Sequence, residues 1–244
     1  ADGVLYATLS PDFAPMEFVD SSKDGQEQYV GFDVTLAKYI ADYIGVDLVI
    51  EPMSFDACQT AVYTASVPMS VSGYVWTEER AESYEISDYY YDGDNKIEPV
   101  ILIRTADAEK YTSSEDFNGV DIGAQNASLQ MQLVTSQLPD ANPVAVGDVG
   151  TGVLELQNGS IEALAVAKGN AEIIMDANPD LVLCPWEFTI TEETEAFVIL
   201  ITKGETALLN VVNEALAKAY SEGMYGAWHD EAVALAKVVN GTEE

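Results

Sequence analysis

Positive charge is scarce in this 244-residue chain: 10 lysines and arginines stand against 42 aspartates and glutamates, for a net charge of −32. Such a surface repels nucleic-acid phosphates and anionic lipid heads, which argues against DNA, RNA and membrane-surface binding. The acids are spread along the chain, as a solvated acidic surface requires, and no EF-hand loop gathers them for calcium. Histidine occurs once, at His229, so a zinc site or a Ser-His-Asp relay would rest on one imidazole; beside Trp228 in a helical tail it reads as a packing residue. Cysteine occurs twice, at Cys58 and Cys184, in neither a C-x-x-C nor a metal spacing, and decides nothing about compartment. No metal and no cofactor is expected. Long apolar runs are missing too. Val100–Ile103 and Ala196–Ile201 are strand-length, far below the roughly 20 residues that span a bilayer. The opening Ala1-Asp2-Gly3 carries no initiator Met, basic region or apolar core, and reads as a processed or trimmed start, compatible with a removed export signal that the sequence does not show.

What is present is 48% hydrophobic residues, enough for one large core or two modest ones. Strand and helix patterns alternate: strand 4–9, helix 34–44, strand 47–51, helix 55–65 and strand 69–73. This βαβ rhythm predicts an α/β fold with a parallel-type sheet. A second cycle opens after Pro99 with strand 100–103, a helix start near Ser113–Asp116, strand 120–124, helix 128–138 and strand 143–146. Helix 149–158, strand 163–166, helix 171–177 and the apolar stretch 181–183 follow. Strand 195–201 then leads to a helix over 205–221, where Leu208, Val211, Val212, Ala215, Leu216 and Ala219 recur at i, i+3, i+4 spacing. Gly223 and Gly226 break that pattern, and a last helix covers 228–239. Segments 92–96 and 189–194 are the crossover candidates between two α/β units of similar size.

Several blocks, in order, carry a resemblance. They are Phe13-Ala14-Pro15-Met16-Glu17-Phe18, Val30-Gly31-Phe32-Asp33-Val34, Phe55-Asp56-Ala57, and Gly73-Tyr74-Val75-Trp76-Thr77-Glu78-Glu79-Arg80. Further on come Ser87-Asp88-Tyr89-Tyr90, Asn158–Ala163, Asn178–Leu181, Lys203-Gly204 and Gly223-Met224-Tyr225. As an ordered set over nearly the whole length, they make the chain resemble the polar amino acid binding proteins of ABC importers. The resemblance implies a two-lobed, type II periplasmic-binding-protein-like α/β fold, each lobe a mixed sheet flanked by helices and the two joined by two crossing strands. Residues 1–95 would open lobe 1, 96–192 form lobe 2, and 193–244 complete lobe 1. It also implies an extracytoplasmic monomer, periplasmic or lipid-anchored, that captures a small carboxylate-bearing solute by hinge closure and delivers it to an ABC permease, without making or breaking a bond.

The resemblance places the carboxylate clamp at Arg80, one of two arginines in the chain. A planar guanidinium fork can hold both oxygens of an acid; the plainer alternative is a helix-start arginine paired with Glu78, Glu79 or Glu82. Phe13 and Phe55 fall where the family encloses the solute's side chain, against the alternative of core packing. Gly73 forms a turn flanked by Tyr74 and Trp76, which alternation puts on one side of an extended segment. Departures are equally informative. Val75 replaces a hydroxyl, and Ala127-Ser128-Leu129 replaces a Gly-Thr-Thr-like turn, leaving Ser128 and the backbone of a helix start to meet an anion. Ala167, followed by Lys168 and Gly169, stands where the family's acid meets the α-ammonium. A buried ammonium without an anion costs several kcal/mol, so the expected solute lacks an α-amino group or sets it against another acid. Asp12, Glu17 and Asp148 are the candidates, each with the alternative of a surface carboxylate, and a slipped alignment would offer Glu172. Three other classes stay open: a dehydratase-like enzyme on cyclic carboxylates, the ligand-sensing module of a receptor, and a scaffold that binds nothing.

Overall fold

The apolar runs become strands and the amphipathic ones helices in a computed structural model that describes residues 3–90, 98–190 and 196–239. Contacts between Cα atoms divide the chain into two units, one of residues up to Lys96 together with Glu192–Val239, the other spanning Ile97–Thr191.

The first unit opens with β1 (Val4–Leu9), β2 (Asp12–Phe13), β3 (Glu17–Val19), β4 (Tyr29–Val30) and α1 (Phe32–Ile44). It continues with β5 (Asp47–Pro52), α2 (Phe55–Tyr63), β6 (Met69–Val75), α3 (Glu78–Ser83) and β7 (Glu85–Ile86). In the second unit, β8 (Pro99–Arg104) and β9 (Asp121–Gln125) are followed by α4 (Leu129–Gln137), β10 (Asn142–Val146) and α5 (Val149–Asn158). β11 (Ala163–Ala167), α6 (Lys168–Ala177) and β12 (Leu181–Leu183) complete it. The chain then returns to the first unit with β13 (Phe197–Ile201), α7 (Thr206–Ser221) and α8 (Met224–Val239).

Among the described residues, the first unit has a sheet of order β5-β1-β6-β13-β7 and a small sheet β2-β3-β4; the second has a sheet of order β10-β9-β11-β8-β12. Both large sheets are mixed. β1 runs parallel to β5 and β6, while β13 lies antiparallel between β6 and β7. In the second unit β9 is parallel to β10 and β11, and β8 is antiparallel to β11 and β12. Alternation along its strands separates two cores. Ile101, Ile103, Ala163 and Ala165 pack on one face with Tyr111 and Phe117, whereas Leu102, Leu164 and Val166 pack on the other with Val153 and Leu156. A sheet buried on both faces explains why β11 reads as an unbroken apolar run.

Two glycines shape the first unit. Gly31 caps α1 with φ +118°, and a Cβ there would strike the Met16 carbonyl, so only glycine lets the helix start against the Pro15–Met16 backbone. Gly73 has φ +57° inside β6, where the pairing with β13 slips: Tyr74 opposes Val198, but Ser70 opposes Leu200. That slip is a bulge of the kind glycine permits.

Several boundaries differ from the sequence reading. α8 begins at Met224 and keeps Gly226 as an exposed interior residue; one glycine costs a helix about 1 kcal/mol, which burial of Tyr225 against Phe32 can offset. α6 starts at Lys168, three residues before the expected point, and the expected start at Ser113–Asp116 is a short 3-10 turn with a capping box. β6 runs two residues past Gly73, to Val75. The crossover candidate at 92–96 lies outside the described residues, as do 191–194 of the other and Glu195 of the predicted strand.

Candidate functional site

The C-terminal end of β6 and the turn after it place the first unit's candidates. Thr77 caps α3 by accepting from the Arg80 N–H, which fixes the arginine in the helix's first turn. Its side chain then folds back: Nη1 donates to the Val75 carbonyl at 2.7 Å and Nε to Gln59 Oε1 at 3.4 Å. The guanidinium carbon stands 5.3 Å from the Tyr74 ring centroid and 5.9 Å from that of Phe55, within cation–π range. Arg80 is buried, while Glu78, Glu79 and Glu82 are exposed. Burial pulls its pKa below the ordinary arginine value, with the nearby Tyr74, Tyr84 and Glu79 pulling the other way; a guanidinium stays charged nonetheless.

Phe13 sits at the end of β2 with its ring over the bulge: a Cβ at position 73 would lie 2.7 Å from Phe13 Cε1. The Phe13 ring also meets Phe197 edge-on, 6.4 Å between centroids. Phe13 is half-buried, and so is Trp76, which packs with Tyr74 against the same apolar cluster. Phe55 belongs to that cluster, its ring 4.9 Å from Tyr74.

Three expectations for the first unit need correction. Tyr74 is wholly buried, its hydroxyl paired with Ser70 at 2.8 Å, because its face of β6 packs in the apolar cluster with Phe55 and Val198. Glu17 is no surface carboxylate: it is wholly buried, accepting from Ser72 Oγ at 2.6 Å, so it cannot meet a solute amine. Val75 meets Arg80 through its backbone carbonyl, and its side chain is buried. Asp12 is half-buried and accepts from the Ser10 hydroxyl at 2.7 Å.

In the second unit, Ser128 caps α4 by accepting from the Met131 N–H at 3.1 Å, with Ala127 held at φ +59° before it and Leu129 buried behind it. The cap uses an acceptor lone pair and keeps the hydroxyl proton as the group suited to an anion. Ala167 is the N-cap of α6, with no side-chain cap bond. Its sheet partner is Pro99, and the adjacent Glu98 and Lys168 form an ion pair. Asp148, expected as an amine partner or a surface acid, caps α5, each of its oxygens taking a 2.7 Å bond from Thr151. Glu172 is exposed on α6.

Gln59 and Ser72 carried no signal in the sequence beyond their placement on a helix and a strand. Asp33 and Tyr90 lay inside the blocks quoted for the resemblance, yet nothing about their residue type announced that the Tyr90 hydroxyl would bridge both Asp33 oxygens at 2.9 Å. The two thiols are free and buried, one in each unit, and burial pushes Cys58 up to about 11. His229 is half-buried 6.4 Å from the Phe32 ring, and burial lowers its pKa. Among the described residues, no group of three acids, histidines or cysteines could hold a metal, and no helix is long and apolar enough to cross a membrane.

Residues 5–232 match the bacterial extracellular solute-binding proteins, family 3. A probable histidine-binding protein of Campylobacter jejuni is 25% identical over 222 residues, covering 91% of this chain and 81% of its own. A putative ABC transporter arginine-binding protein of Escherichia coli is 24% identical over 92% of this chain and 88% of its own. Among solved structures, the amino acid ABC transporter substrate-binding protein AbpA of Streptococcus pneumoniae, bound to L-arginine, superposes with a TM-score of 0.86 at 26% identity, covering 96% of each chain.

Proposed function

The chain belongs to the bacterial extracellular solute-binding proteins, family 3, and from that membership we propose that it captures a small carboxylate-bearing solute and delivers it to an ABC permease, with Arg80 as the carboxylate clamp. The observation that carries this reading is the setting of Arg80: a buried guanidinium oriented by the Val75 carbonyl and Gln59 and flanked by two aromatic rings. A planar fork held in this way is preorganised to meet both oxygens of an acid. Phe13, whose half-buried ring rests on Gly73, offers apolar area for the solute's side chain. Capture by hinge closure, as a monomer outside the cytoplasm with a lipid anchor as its sole tie to the membrane, belongs to the same proposal.

The relatives named above are called histidine- and arginine-binding. For this chain we propose a finer preference, for acids whose amine is absent or is not held at position 167. Ala167 supplies a methyl group, and Glu98, the acid beside it in the sheet, is already matched by Lys168. An arriving ammonium would have to compete with a covalently tethered one.

Calorimetry on matched pairs tests this: L-arginine against 5-guanidinopentanoate, L-histidine against imidazolepropionate, and L-glutamine against glutaramate. The des-amino member is expected to bind at least as tightly as its partner. Ala167→Asp should favour the α-amino member by about tenfold or more, equivalent to ~1.4 kcal/mol. An α-amino acid bound below micromolar, with its des-amino partner ten times weaker, would overturn the preference; failure of every carboxylate would overturn the function itself.

A further inference from the structure

Two acids are sealed in the first unit, and among the described residues no base acts on them. Glu17, on β3, and Asp33, in the first turn of α1, are each wholly buried and within hydrogen-bond reach of each other. They meet successive residues of the β6 bulge. Ser72 Oγ donates to Glu17 Oε1 at 2.6 Å, and the Gly73 N–H donates to Asp33 Oδ2 at 2.8 Å. From the other side, the Tyr90 hydroxyl donates to both Asp33 oxygens at 2.9 Å, and the Ser10 N–H holds Ser72 Oγ at 3.0 Å. Among the described residues, the charges bearing on Glu17 are those of Asp33 and of Asp12 on β2, both negative, and the groups bearing on Asp33 are Gly73, Tyr90 and Glu17.

Two adjacent ionised carboxylates in a dry pocket repel each other and have lost their water, so one of them keeps a proton. The donors decide which. Asp33 receives two donor groups, as suits an anion, whereas Glu17 receives one, at Oε1, and no donor among the described residues serves its buried Oε2. A proton on Oε2 turns that orphan acceptor into a donor aimed at Asp33 and completes the network. Burial acts in the same direction, raising Glu17 well above the carboxylate range and Asp33 to about 7.

We propose that Glu17 is a positioning residue of the solute face: its Oε2 carries a proton donated to Asp33, and this one-proton pair latches the Gly73 bulge on which Phe13 rests. The proposal deepens the solute-binding reading and takes from it the role of that face. When the proton leaves for solvent, the pair carries two charges, the Gly73 and Ser72 anchors loosen together, and the Phe13 ring loses its floor.

The test needs no ligand. Infrared spectra of protein labelled with 13C-glutamate are expected to show a protonated glutamic acid at neutral pH, absent from Glu17→Gln. The Gln variant keeps an acceptor for Ser72 and an N–H donor for Asp33 without a titrating group. Exchange of the Gly73 amide, corrected for intrinsic rates, should speed by up to about tenfold per pH unit as pH climbs towards the pair's transition in the wild type and level off above it, while staying level throughout in E17Q. Lack of the acid band in the wild type, or an E17Q exchange profile that follows the wild type, would overturn the latch. If E17Q does not fold, the wild-type band alone decides. L-arginine serves as the solute probe: when it binds, its affinity should weaken with alkaline pH in the wild type and hold level in E17Q, and an affinity that ignores pH in both counts against the latch. Failure of L-arginine to bind at any pH would count against the solute reading, with the acid band and the Gly73 amide still deciding the latch.

Discussion

At the scale of single residues, Arg80 and Gly73 carry the most testable content. Lysine at position 80 keeps the charge but lacks the fork that meets the Val75 carbonyl and Gln59 together. Arg80→Lys is therefore expected to weaken the best-bound carboxylate by about 2–4 kcal/mol, measured by calorimetry. Gly73→Ala combines a left-handed φ with a Cβ 2.7 Å from the Phe13 ring, and should cost ~1–3 kcal/mol in urea unfolding. Phe13→Ala in the same chain should return the part due to the collision and leave the part due to the backbone. Arg80 could be singled out in the sequence because arginine is scarce and sits in an ordered motif, whereas its burial against the Val75 carbonyl could not be read there. The roles of Tyr74 and Glu17 could not either, since alternation tells which strand residues share a face but not whether that face is core, and no residue type reports whether a carboxylate will be sealed.

Among elements, capping gives the clearest forecast. Both oxygens of Asp148 are engaged at the start of α5, so Asp148→Ala should lower stability by about 1 kcal/mol while leaving solute affinity unchanged. A loss of affinity beyond the stability effect would restore Asp148 as a solute contact. The elements themselves were largely legible: β1 and α5 match the ranges read from hydrophobic periodicity. Those that escaped were β2, β3, β4 and β7, two or three residues long and held by their neighbours, and α3, a six-residue helix set by its cap. Such short pieces have no period to detect. The start of α8 was missed for a different reason: Gly226 signals a break locally, and the aromatic packing of Tyr225 and Trp228 on Phe32 overrides it.

For the molecule as a whole, the buried pair sets the sign of the pH dependence. Asp33 rises from 3.8 to about 7, and Glu17 rises well above 4.5. Above those ordinary values the folded chain holds protons that the unfolded chain has released. The pair's contribution is thus complete at acidic pH and is lost as pH climbs through the folded values, at up to ~1.4 kcal/mol per pH unit for each group. Asp20, Glu115 and Asp116, lowered by hydrogen bonds from neighbouring hydroxyl and amide groups, work in the opposite direction and lose their contribution on acidification. The melting temperature should therefore peak at mildly acidic pH and fall towards alkaline pH, by about 2–4 °C for each kcal/mol in a chain of this size; a flat profile from pH 5 upward would show that the pair does not titrate. The place of β13 between β6 and β7 bears on the order in which the molecule assembles. The second unit is one uninterrupted stretch of chain, whereas the sheet of the first must wait for a strand that arrives more than a hundred residues after its neighbour. Closing so long a loop is slow, so the segment made later is expected to become structured sooner, with amides of β8 and β11 protected before those of β6 in pulse-labelled hydrogen exchange during refolding.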